Sequence, residues 1–265
     1  MLSVSAIPAL KDNYIWALRR DDHPEAVVVD PGEVEPVQRW LEARGLTLGA
    51  ILVTHHHWDH THGIGGLRAR WPVPVHGPAR ESQPIEALSH PLHPGDSLRV
   101  DCLDAEFKVI DIPGHTLGHI ALHGENVLFS GDTLFSAGCG RLFEGTAEQM
   151  HDSLQRLAVL PTDTRVYCGH EYTEANLAFA LTVEPDNTDA REHLARTRET
   201  RRAGKSSLPS TIGLERKINP FLRCDLPKIA QAVSAQCKQP LGTPVEVFAA
   251  LRRWKDQFNP ASAAI

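Results

Sequence analysis

Thr54-His55-His56-His57-Trp58-Asp59-His60 brings four potential metal ligands, His55, His57, Asp59 and His60, into one short stretch. Just before it runs Ala50-Ile51-Leu52-Val53, an apolar segment of strand character. Residues two apart on an extended chain point the same way. His55 and His57 can therefore converge on one ion at the end of a strand. Asp59 and His60 are adjacent and leave the chain in directions different from that pair. The pattern predicts two metal ions, one served by each half, at the roughly 3.5–4 Å separation usual for such pairs. A lone histidine is ordinarily a surface or core residue. This cluster lies deep in the chain behind an apolar run, where His and Asp are costly unless hydrated or paired.

Working outward, three more candidate ligands follow strand-like segments. Pro113-Gly114-His115-Thr116 follows Phe107 to Ile112, Gly131-Asp132-Thr133 follows Val127 to Ser130, and Gly169-His170 follows Arg165 to Cys168. Each has a glycine before the ligand, which allows an abrupt turn at the strand end. Three such corners predict one edge of a sheet gathered around a site. His119, four residues past His115, is a candidate to steer a ligand by hydrogen bonding. His56 and His62 read as solvent-facing or as supports behind the ligands. The remaining histidines read as ordinary.

The 15 histidines are the one compositional anomaly. A net charge of −6 argues against a nucleic-acid partner, which needs a basic surface. No apolar run approaches the roughly 20 residues needed to span a bilayer. Met1 to Leu10 has no basic leader and no cleavage signal. The five cysteines are scattered and form no Cys-x-x-Cys pair. They read as reduced thiols, with Cys139 and Cys168 as small apolar packing residues, so the expectation is a cytoplasmic protein. A monomer is the default.

The chain reads as strands at Val4–Ile7, Tyr14–Leu18 and Ala26–Asp30, with turns at 11–13 and 21–24. A helix is predicted from Glu33 to Arg44, with Val37, Trp40 and Leu41 as its buried stripe. After the metal stretch come a short helix at Gly63–Arg70 and strands at Val73–His76, Leu98–Leu103 and Phe107–Ile112. A hairpin joins Ile120–His123 to Val127–Ser130 across Gly124-Glu125-Asn126. Thr146-Ala147-Glu148-Gln149 is a capping box opening a helix to about Leu160, and Thr243, with Pro244 at the first position and Glu246 completing the box, opens the last helix. Beyond Tyr172 strand patterns vanish, and helices are predicted near Thr173–Val183, Asp189–Arg202, Leu226–Gln236 and Pro244–Phe258. An α/β region over 1–172 and a helical domain over 173–265 follow.

Thr54-His55-x-His57-x-Asp59-His60, with His115, Asp132 and His170 downstream in that order, resembles the metallo-β-lactamase superfamily. The resemblance implies a four-layer αββα sandwich with a binuclear metal site at one rim. By the family pattern His55, His57 and His115 hold one metal, Asp59, His60 and His170 hold the other, and Asp132 bridges. Two divalent ions are implied, zinc first, with iron and manganese equally compatible with His and carboxylate ligands.

The superfamily hydrolyses lactams, lactones, thioesters and phosphodiesters, so the metal motif alone does not choose a substrate. Cys139-Gly140-Arg141-Leu142-Phe143-Glu144-Gly145-Thr146, Cys168 to Thr173, Asn219-Pro220-Phe221-Leu222-Arg223 and Arg252-Arg253-Trp254-Lys255-Asp256-Gln257-Phe258 are similar to the hydroxyacylglutathione hydrolase (glyoxalase II) family. That resemblance covers essentially the whole chain. It implies cleavage of S-(2-hydroxyacyl)glutathione, typically S-D-lactoylglutathione, to glutathione and D-lactate, the second step of methylglyoxal detoxification. Asp59 and Asp132 are the implied catalytic carboxylates, attack being by metal-held hydroxide. Arg252 and Lys255, three apart on one helix face, match the family's carboxylate-binding pair. Tyr172 matches a tyrosine that contacts the peptide, and Arg141 stands where others carry Lys or Arg. Phe143 departs from members with a substrate-bonding tyrosine there. A lactonase or another metallo-hydrolase of the same fold is the alternative.

Overall fold

The computed structural model describes residues 2–259 apart from Asp22 and Ser82. Asp22 in the expected turn at 21–24, and residues 260–265 at the end of the expected second domain, lie outside the described residues. The first sheet is built from β1 (Leu2–Ala9), β2 (Asn13–Arg20) and β3 (Glu25–Val29), then, after helix α1 (Val34–Glu42), from β4 (Thr47–Leu52). Two short helices, α2 (Trp58–Thr61) and α3 (Ile64–Arg70), precede its last strands, β5 (Val75–Pro78) and β6 (His90–Leu92). The six strands lie in chain order, antiparallel up to β3 and parallel from β3 onward.

The second sheet takes β7 (Ser97–Val100), β8 (Ala105–Asp111), β9 (Ile120–Gly124) and β10 (Val127–Gly131). A two-stranded hairpin, β11 (Leu134–Phe135) with β12 (Gly138–Cys139), stands apart. Helix α4 (Ala147–Ala158) leads to β13 (Arg165–Cys168), which pairs parallel to β10. The C-terminal region comprises α5 (Thr173–Val183), α6 (Thr188–Arg202), β14 (Ser210–Thr211), α7 (Ile212–Ile218), α8 (Pro227–Cys237) and α9 (Pro244–Gln257). The sheet order is β14-β13-β10-β9-β8-β7.

Strand alternation accounts for the layers, because successive side chains face opposite sides of a sheet. Val27, Val29, Ala50 and Leu52 of the first sheet meet Phe107, Val109, Leu122, Phe129 and Tyr167 of the second in the central core. The intervening residues Ala26, Val28, Ile51 and Val53 face outward onto Val37, Trp40 and Leu41 of α1 and Ile64 and Leu67 of α3. Ala121, Leu128 and Val166 likewise back onto Leu154 and Leu157 of α4 and Phe248 and Leu251 of α9. The result is the αββα sandwich that the family resemblance implies.

Some expectations needed correction. The predicted strand to Leu103 stops at Val100, because residues 101–103 form a 3₁₀ turn and Asp104 takes φ 44°. The region after Tyr172 is not wholly helical: β14 pairs with β13 and widens the second sheet. The 124–126 hairpin forms as read, with Glu125 and Asn126 at φ 51° and 60°, as a tight two-residue turn requires. Both capping boxes, at Thr146 and Thr243, are present.

Candidate metal centre and substrate cleft

The four ligand-bearing segments meet at one rim, where β4, β8, β10 and β13 end. His55 Nε2 and His115 Nε2 lie 3.1 and 2.9 Å from His57 Nδ1. His60 Nε2 and His170 Nε2 lie 3.4 and 3.5 Å from Asp59 Oδ2. These are two ligand groups, His55-His57-His115 and Asp59-His60-His170, each compact enough to hold one ion. The carboxylate of Asp132 reaches both. It lies 3.5 Å from His115 Nε2, 3.5 Å from His60 Nε2 and 3.2 Å from His170 Nε2. All seven residues singled out from the sequence thus converge.

The donor set fits a pair of cations. His60 Nε2 and Asp132 Oδ1 are buried with no hydrogen-bond partner, an arrangement that costs free energy unless something positive sits between them. The rings are also aimed from behind. A ring that donates its Nδ1–H presents the Nε2 lone pair to the centre. His115 Nδ1 donates to the Arg141 carbonyl at 2.9 Å, and His170 Nδ1 to Asp12 Oδ1 at 2.8 Å. His60 Nδ1 faces Asp30 Oδ2 at 3.2 Å. The same Asp30 accepts from the Thr54 backbone N–H and hydroxyl, and that hydroxyl faces His55 Nδ1 at 3.1 Å. Asn13 Nδ2 donates to Asp59 Oδ2 at 2.9 Å.

Electrostatics divides the cluster. Burial, and then the neighbouring His60, holds His55 well below the usual histidine range, and burial with His115 lowers His57 to about 4. Both are neutral, as a ligand must be. Burial opposes charge on His60, but Asp132, Asp30 and Asp59 outweigh it and hold its pKa well above the ordinary value. Burial likewise opposes charge on Asp132, and the histidines His170 and His60 overcome it. The Asp59-His60-His170 half therefore calls for positive charge.

Two glycines show why no side chain is tolerated at the corners. Gly131 has φ 46°, and a Cβ there would lie 2.4 Å from Thr54 Oγ1. At Gly169 the reason is space rather than a turn: a Cβ would meet Asp132 Oδ1 at 2.5 Å. His119 acts on Asp132 through the backbone. Its Nδ1 donates to the Ile120 carbonyl and its Nε2 accepts the Asp132 N–H at 3.1 Å, with the ring stacked on His55. His62 is exposed, while His56 is tucked between Glu81 and Glu144. Cys139 and Cys168 are buried among apolar side chains.

The centre opens into a cleft of about 540 Å³ lined by His57, Asp59, His115, Asp132 and His170, and also by Arg141, Tyr172, Arg252 and Lys255. Tyr172 stacks flat on His170, with ring centroids 4.7 Å apart. Phe143 is 63% exposed and packs over His57 and His115. Arg252 is more deeply set than a solvated helix face implies. Its Nη1 donates to the Cys139 carbonyl at 2.7 Å and its Nη2 lies 3.2 Å from Asp256. Lys255 Nζ rests over Phe179 and Phe258 and donates to the Ala175 carbonyl. Burial, and then the charge of Arg252, lowers its pKa to about 8.

Asp30, Asp12 and Asn13 escaped the sequence reading. Asp12 and Asp30 flank strands and Asn13 is the first residue of β2, and only the register of β2 against the second sheet, through the Asn13–His170 bridge, brings Asp12 and Asn13 to the site. A polar residue at a strand end was the sole signal.

Comparison with known proteins agrees with this geometry. Residues 13–170 match the metallo-beta-lactamase superfamily model, and residues 171–258 match the hydroxyacylglutathione hydrolase C-terminus. The chain is 54% identical over 257 residues to the hydroxyacylglutathione hydrolase of Alkalilimnicola ehrlichii, covering 97% of this chain and 100% of that one. It is 51% identical over 259 residues to the enzyme of that name from Aliivibrio fischeri, with coverage of 97% and 100%. Among solved structures, BLEG-1, a B3 metallo-beta-lactamase, aligns with a TM-score of 0.63 at 28% identity, over 84% of this chain and 99% of that one. ETHE1 from Myxococcus xanthus aligns at 0.64 and 25% identity, over 96% and 98%. The chain belongs to the metallo-beta-lactamase superfamily and, within it, to the hydroxyacylglutathione hydrolase family.

Proposed function

We propose that the protein hydrolyses S-(2-hydroxyacyl)glutathione, with S-D-lactoylglutathione as the usual substrate, to glutathione and a 2-hydroxy acid. One observation carries this reading: a two-cation ligand set and a basic anchor, Lys255 beside Arg252, face the same cleft. A hydrolase of neutral lactones has no need of that anchor.

His55, His57 and His115 would hold one divalent ion, and Asp59, His60 and His170 the other, with Asp132 shared. When bound, such a pair supplies Lewis acidity and a water acidified towards neutrality. The chain's own residues do the rest. Lys255, with Arg252 beside it, takes the glycine carboxylate and fixes the thioester over the centre. Tyr172 walls the His170 side. Phe143 roofs His57 and His115 as an apolar surface and contributes no hydrogen bond. Asp59, oriented by Asn13, accepts a hydrogen bond from the attacking water and holds its lone pair towards the acyl carbon. Addition of that oxygen and loss of the C–S bond release glutathione thiolate, a good leaving group that needs little acid help.

Zinc is our reading of the metal, carried over from the superfamily resemblance, since the His and carboxylate ligand set suits iron and manganese as well. Residues 1–172 would be the catalytic domain and 173–265 the substrate-binding one, in a monomer. Five free cysteines support a reducing, cytoplasmic setting, and among the described residues no helix is long and apolar enough to cross a membrane.

Steady-state hydrolysis of S-D-lactoylglutathione tests the reading, with a chelator-stripped control and a lactone in parallel. Fast, chelator-sensitive thioester cleavage with a slow lactone reaction is expected. Slow thioester cleavage by fully metallated protein would overturn it.

A further inference from the structure

The cleft does not end at Arg141 and Asp256. Beyond them opens a second lobe of about 320 Å³ that shares Arg141, Phe143, Arg252 and Asp256 with the first and adds Arg253. The carboxylate of Asp256 is 43% exposed and stands among cations, 3.2 Å from Arg252 Nη2 and 3.8 Å from Arg141 Nε. A lone acid within a basic patch is unfavourable for binding a plain anion. It suits a ligand that carries both signs.

The substrate class proposed above has that character. Its reacting sulfur belongs to the middle residue of a tripeptide, so two arms diverge from the centre. The glycine arm ends in one carboxylate, and the γ-glutamyl arm ends in an α-carboxylate and an α-ammonium on one carbon. The first lobe presents Lys255 and Arg252 for the former. The second presents two guanidinium groups and one carboxylate, the complement of an amino-acid head. We propose that this second lobe binds the γ-glutamyl head, with Asp256 taking its ammonium and Arg141 and Arg253 its carboxylate. The proposal rests on the thioester reading and adds to it a reason for preferring glutathione over other thiol carriers.

The test compares three substrates: S-D-lactoylglutathione, its N-glutaryl analogue without the α-amino group, and its α-carboxamide analogue. Each is assayed with the metal-loaded enzyme and with Asp256→Asn and Arg253→Ala. Removing the amino group is expected to raise KM about fivefold in the unaltered enzyme, the strength of a partly exposed ion pair. In Asp256→Asn that difference disappears. The carboxamide is expected to raise KM similarly, and by less in Arg253→Ala. Equal KM for all three substrates in the unaltered enzyme, a comparison that needs no variant to fold, would overturn the lobe alone. So would substrate and residue changes whose effects simply multiply. Failure to cleave any of the three would overturn the thioester reading and the lobe with it.

Discussion

Lys255 carries the plainest pH prediction. With its pKa lowered to about 8 by burial and by Arg252, the ammonium is charged below pH 8 and is lost as pH rises through that value. KM for a glutathione thioester should therefore rise above pH 8, by about tenfold for the loss of one charge-assisted contact. A KM–pH profile checks this, and Lys255→Arg should flatten it because a guanidinium stays charged. Asp30 makes a second case. Its carboxylate accepts from Thr54 twice and from His60, and an amide would turn a donor towards donors. Asp30→Asn should weaken metal retention about 10–100-fold, as measured by chelator competition. The seven candidate ligands were legible because His and Asp at tight spacing, or after a glycine, seldom serve packing alone. Asp30 and Asn13 were not, since one acid or amide in a turn is ordinarily only a turn residue.

Elements were legible where periodicity was long. Val37, Trp40 and Leu41 predicted the buried stripe of α1, and Thr146 and Thr243 predicted two helix starts to the residue. Two-residue strands and a one-turn helix leave no period to read, so β11, β12, β14 and α2 went unseen, and α7 with its seven residues was missed beside them. Thr243 matters for the cleft because α9 carries Arg252, Lys255 and Asp256 on its last two turns. Its hydroxyl accepts the Glu246 N–H, while the Glu246 side chain returns to the Gly242 and Thr243 N–H groups. Thr243→Ala should cost about 1 kcal/mol. That is about 2–4 °C of melting temperature for a chain of this size, with kcat unchanged, as thermal unfolding and steady-state assays would show.

At the scale of the molecule, the proposed ions tie the two sheets together. His55, His57, Asp59 and His60 follow β4 of the first sheet, whereas His115, Asp132 and His170 follow strands of the second. Metal bound only by the folded state, at about a thousandfold over its Kd, adds about 4 kcal/mol. Chelation should therefore lower the melting temperature by on the order of 10 °C, and an unchanged melt would show that the sheets hold without the ions. The C-terminal region is as integral. Buried Glu215 accepts from the Ala137 N–H, and Asn219 donates to the Phe135 and Gly138 carbonyls, so α7 and its C-cap grip the hairpin that runs from Asp132 towards the cleft. The outer face of the second sheet, Ala121, Leu128 and Val166, is covered in part by Phe248 and Leu251 of α9. That shared core sets a timetable during synthesis. His170, the last of the proposed metal ligands, is translated some 80 residues before Leu251, which is several seconds at roughly 5–20 residues per second. For that interval a nascent chain holds every proposed metal ligand yet leaves part of an apolar sheet face uncovered, so apolar surface is more exposed at the ribosome-bound stage than in the finished enzyme.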